Sequence, residues 1–71
     1  MKEYAVVHEQ AGNNFSAYVP NLPGCIAAGE TLAETKQLIR EAINLHVASI
    51  RNDGEAIPES STFVDSVAIA A

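Results

Sequence analysis

Two histidines, one cysteine and nine carboxylates are the side chains here that could carry chemistry. The carboxylates are Glu3, Glu9, Glu30, Glu34, Glu41, Asp53, Glu55, Glu59 and Asp65. A two-metal nuclease centre needs several such groups converging on ions roughly 4 Å apart. Here they are dispersed over strand ends, a helix exterior and loops, as on a solvated surface. Glu34 has a capping role of its own, and Glu55 and Glu59 flank Ile57-Pro58 in a connector. His8 and His46 are the only residues suited to general-base work at neutral pH. His46 falls on the apolar stripe of a helix, where a histidine is more often a core or interface residue. His8 shares a strand face with Tyr4 and Val6, and the same reading holds. Cys25 could be a nucleophile only with a nearby base and a lowered pKa, and its sequence neighbours supply neither. Cys25, His8 and His46 also lack the paired spacing of zinc ligands. No glycine loop cradles a phosphate, and no Ser-His-Asp set or aromatic-basic interleaving occurs. The expectation is a protein that is not an enzyme and carries no metal or cofactor.

Composition narrows the class further. At 71 residues the chain is expected to be one domain over residues 1–71. So short a chain buries only about 60% of the surface its unfolded form exposes. Disulfides, metals or oligomerisation usually make up the deficit. A single cysteine leaves no intrachain disulfide, so a homo-oligomer, dimer or tetramer, is expected. An apolar fraction of 48% is that of a folded chain. No apolar run approaches the ~20 residues needed to span a bilayer. Met1-Lys2-Glu3 shows no signal-peptide pattern. The lone cysteine then fits a reducing cytoplasm. Four basic residues against nine acidic ones give a net charge of −5. That argues against direct nucleic-acid binding, which needs phosphate neutralisation, and permits docking onto a basic protein.

The elements that must position these residues follow from periodicity. Residues 3–9 read as a strand with Tyr4, Val6 and His8 on one face. Gln10 to Asn14 form a turn of four to five residues. Residues 15–20 form a second strand with Phe15, Ala17 and Val19 on one face, ended by Pro20. Residues 25–30 make a third, and Gly29 points to a bulge or a close backbone approach. Thr31-Leu32-Ala33-Glu34 matches a capping box, so the helix begins at Thr31. Leu32, Thr35, Ile39, Ala42, Ile43, His46 and Ile50 recur at helical spacing as far as Asn52. Asp53-Gly54 stops it, with Gly54 as the C′ residue. Leu38 and Leu45 lie on the flank of the stripe as a possible second contact surface. Thr62 to Ile69 read as a last strand, paired in the same sheet or with a neighbouring chain. The order β-β-β-α-β makes an α+β two-layer sandwich, an antiparallel meander with one amphipathic helix.

Four motifs in this order resemble the HicB-like antitoxin family. Tyr18-Val19-Pro20-Asn21-Leu22-Pro23-Gly24-Cys25 resembles its aromatic-led Pro-Asp-Leu-Pro-Gly-Cys signature, with Asn21 where Asp is usual. Gly29 to Glu34 resembles the start of the family's helix. Arg40 to His46 resembles the helix body, and Asp53 to Ser60 the loop after it. The resemblance covers about residues 2–69. The roles of Tyr18, Pro20, Leu22, Pro23, Gly24, Thr31, Glu34, His46 and Gly54 are read as fold-making. Proline fixes φ and glycine frees it where the chain reverses.

The resemblance implies a partial ribonuclease-H-like fold without that enzyme's catalytic acids. It also implies a HicA-type partner, a small basic toxin that cleaves mRNA with a histidine and is neutralised when its active site is covered. Many members carry a C-terminal DNA-binding module; this sequence shows none, so operator binding is not expected. Glu41, Asp53, Glu55 and Glu59 are the candidate partner-binding residues, the acids expected near one end of the domain. Two alternatives stand beside this reading: a stand-alone oligomeric module without a toxin, and a degenerate nuclease.

Overall fold

A computed structural model describes residues 2–71. Three strands, β1 (Val7–Ala11), β2 (Asn14–Tyr18) and β3 (Ile26–Gly29), pair antiparallel in the order β1-β2-β3, and α1 (Leu32–Asn52) follows. The α+β class, the meander and the single helix agree with the sequence pattern. The boundaries shift. Ala11 pairs with Asn14, so the hairpin loop has two residues rather than four or five. Gly12 takes φ +61° while Asn13 stays at negative φ, as a type II′ turn requires. At the other end Val7 faces Tyr18, the last paired residue of β2. Beyond Tyr18 the chain turns away, so residues 3–6 have no strand to pair with.

That turn is the Pro-Asn-Leu-Pro-Gly segment, and its backbone-to-backbone hydrogen bonds stay within residues 19–25. Val19 N–H donates to the Cys25 carbonyl at 3.2 Å, Leu22 N–H to Val19 at 3.0 Å and Cys25 N–H to Leu22 at 3.0 Å. These three bonds close the loop on itself, and Leu22 within it is fully buried. Gly24 sits at φ +84°, a region closed to most side chains.

The core lies between the sheet and α1. Ala17, Val19, Leu22, Cys25 and Ile39 are buried, with Tyr4, Val6, Ala27, Ala42, Ile43, Val47 and Ile50 packed around them. The helix is specified at both ends. Thr31 Oγ1 accepts from Glu34 N–H at 3.1 Å, and Glu34 Oε1 accepts from Glu30 N–H at 3.1 Å. The box thus closes one residue earlier than its ideal form. At the far end Gly54 N–H donates to Arg51 and Glu55 N–H to Ile50, the paired bonds of a Schellman motif with Gly54 at φ +72°. Gly29 is a close approach and not a bulge. A Cβ there would meet Glu34 Oε1 and Thr35 Oγ1 at 2.8 Å.

The expected last strand does not form within this chain. Residues 55–71 carry neither helix nor strand. The first part is tied down: Lys2 Nζ meets Glu59 Oε1 at 2.7 Å, and Tyr4 OH donates to the Pro58 carbonyl. Asn21 Nδ2 donates to Ser61 Oγ at 2.8 Å, and Ser61 N–H donates back to Asn21 Oδ1 at 3.2 Å. After Ser61 the segment has no ladder, and β-branched residues favour a strand only where there is one to pack in. Phe63, Val64, Val67 and Ile69 are left exposed.

Candidate partner-binding surface

Because α1 lies over β3 and β2, the inner face beside β1 is open. A groove of about 350 Å³ runs there, with Val6 and His8 on the strand side. Lys36, Ile39, Arg40, Ile43 and Asn44 form its helix side. It continues past Ile43 and Asn44 into a second hollow of about 450 Å³, which adds Lys2, Tyr4, Val47, Ala48, Arg51 and Ile57. All four basic residues of the chain, Lys2, Lys36, Arg40 and Arg51, line these two hollows. The net charge of −5 therefore conceals an uneven surface: the basic side chains gather along the groove, where Glu59 pairs with Lys2, and no acid is among the lining residues.

Sequence reasoning missed this row. Lys36, Arg40 and Asn44 are spaced i, i+4, i+8 and must share one helix face. With only four cations in the chain, that spacing was the available signal.

The expected acids are all exposed, but they do not form one patch. Asp53 and Glu55 flank the helix stop. Glu41 stands twelve residues back, about 18 Å along the axis at 1.5 Å per residue. Glu59 is already paired with Lys2.

No side-chain hydrogen bond joins the candidate nucleophile Cys25 to His8 or His46 among the described residues. His46 is half-buried on the stripe. His8 faces the core, paired with Ala17 across the ladder, and its buried Nδ1 has no hydrogen-bond partner. Burial pushes the Cys25 thiol above its ordinary pKa, the wrong direction for a nucleophile. Among the described residues no three His, Cys, Asp or Glu side chains gather as a metal site. None of their helices is long and apolar enough to cross a membrane. Of the motif residues, Leu22 is buried, whereas Tyr18, Pro20, Pro23 and Gly24 lie at the surface.

These features define a class: a β-β-β-α domain whose helix leaves one sheet edge and a groove uncovered. Residues 4–70 match the family model described as the HicB-like antitoxin of a bacterial toxin–antitoxin system, and the chain belongs to that family. It is similar to an uncharacterized 14.9 kDa protein of Haemophilus phage HP1, 34% identical over 82% of this chain and 44% of the relative. The chain thus spans less than half of that phage protein. A UPF0150 protein of Thermoplasma acidophilum is 31% identical over 86% of this chain and 88% of its own length. Among solved structures, a chain of a HicA3 and HicB3 toxin-antitoxin complex superposes with a TM-score of 0.70. The two are 27% identical over 84% of this chain and 70% of that one.

Proposed function

We propose that this chain is the antitoxin of a toxin–antitoxin pair. It acts in the cytoplasm without catalysis of its own, binding a HicA-type, mRNA-cleaving toxin and covering the toxin's active site. The observation that carries the reading is the likeness to a chain of a HicA3–HicB3 complex, which extends over most of both molecules. The charge distribution supports it. Acids exposed away from the groove, Glu41, Asp53 and Glu55 among them, suit steering toward a basic toxin. Co-expression with the adjacent reading frame is the test. The expected result is a small basic protein that arrests growth alone, is relieved by this chain and co-purifies with it. A frame that is neither basic nor toxic, or arrest that persists, rejects the reading.

A second reading is a stand-alone binding module with another partner. It draws on the relative of similar size, of which this chain covers 88%. Absence of any toxic neighbouring frame favours it.

A further inference from the structure

α1 covers one face of the sheet, where Ala17 and Ala27 join the core. Side chains alternate along a strand. The opposite face therefore carries Val7 and Glu9 of β1, Ser16 and Tyr18 of β2, and Ile26 and Ala28 of β3. The face that an antiparallel sheet turns to water is ordinarily polar. This one carries an apolar row. Val7 pairs with Tyr18 and Tyr18 with Ile26, so the row crosses the whole width of the sheet. Cross-strand neighbours stand about 5 Å apart, close enough to form one patch. Tyr18 is 41% exposed and Ile26 70%. In the next row Glu9, Ser16 and Ala28 are all exposed. Glu9 borders the patch on β1, and the exposed Glu30 follows β3 at the same end. None of the four basic residues lies here, since all of them line the hollows on the helix side. An exposed aromatic and aliphatic patch with a charged rim has the composition of a protein-docking site. A second copy is a poor occupant, because its own acids would meet like charges. A basic surface that offers an apolar pocket satisfies both halves of the face.

We propose that this outer face of the sheet, anchored by Tyr18 and Ile26, is where the chain docks onto its basic protein partner. Glu9 and Glu30 meet lysines or arginines of the partner at the rim. The proposal rests on the toxin reading, which supplies that basic partner.

Titration calorimetry of the full chain with the purified product of the adjacent reading frame tests it. Ile26→Ala is expected to raise the Kd about tenfold and Tyr18→Ala about thirtyfold or more, as for interface anchors. Ile26 lies outside the core, so the melt of Ile26→Ala should match the wild type, and this variant decides if Tyr18→Ala fails to fold. Glu9→Lys with Glu30→Lys should weaken binding at low salt, by a margin that shrinks as salt rises. Leu45→Ala trims a side chain that is 74% exposed on the helix and should bind as the wild type does. A complex whose Kd is indifferent to Ile26→Ala and to the charge reversal overturns the docking face and leaves the toxin reading standing. So does binding lost in Leu45→Ala alone, or an effect of Ile26→Ala confined to self-association. A wild type that forms no complex overturns the toxin reading and this proposal together.

Discussion

Glycines 24 and 29 are both required, for opposite reasons. Gly24 has open space around a notional Cβ but sits at φ +84°, whereas Gly29 has an ordinary φ but no space. Gly24→Val therefore costs backbone strain, about 1–3 kcal/mol, and lowers the melting temperature by about 4–8 °C per kcal/mol. Gly29→Ala costs through contact. Glu34 is a flexible exposed side chain and can yield, but Thr35 is fully buried and its hydroxyl donates to the Thr31 carbonyl at 2.8 Å. A loss of about 1–3 kcal/mol is expected, as for other overpacked sites, and urea melts of the two variants measure both. Cys25 adds a pH dependence. Its folded pKa lies above the unfolded value, so burial of the neutral thiol stabilises fully below the ordinary value near 9.0 and is lost as pH rises through the raised one. Denaturation at pH 8 and pH 10 should show wild type losing more stability than Cys25→Ala.

The elements that sequence specified well are those with their own local chemistry. Thr31, Glu34 and Gly54 set the helix limits, and Asn52 is its last residue as expected. Removing the cap is the corresponding measurement: Thr31→Ala should destabilise by about 1 kcal/mol, seen as a lower urea midpoint with unchanged slope. A larger slope change would place the effect outside the cap. Strand limits were less legible because they depend on partners. Whether Glu3 to Val6 belong to β1 is decided by where β2 stops, and Tyr18 stops it. Thr62–Ile69 has a strand's composition but no strand's neighbours in its own chain. Periodicity reports what a segment could pack against, while pairing needs a second segment at the right place. Val47 shows the same limit: it packs against the core although it lay outside the stripe read from the sequence.

At the scale of the molecule, charge separates two surfaces that the net value of −5 merges. Overall acidity was legible in the composition, but its segregation was not, because Lys2 reaches the groove only through the fold. The segregation yields a paired expectation. Asp53→Asn with Glu55→Gln removes charge from the helix stop, away from the groove. If a basic toxin docks on the acidic surface, this variant should bind it with a slower association rate and a shallower dependence on salt, since exposed charges act mainly on the encounter. Lys36→Glu with Arg40→Glu should leave toxin association unchanged or faster, as the net charge becomes more negative. Stopped-flow binding of the two variants at several salt concentrations separates the effects. Equal slowing of toxin association in both variants would mean that the toxin does not distinguish the acidic surface from the basic groove, and the division between them would then have no functional meaning.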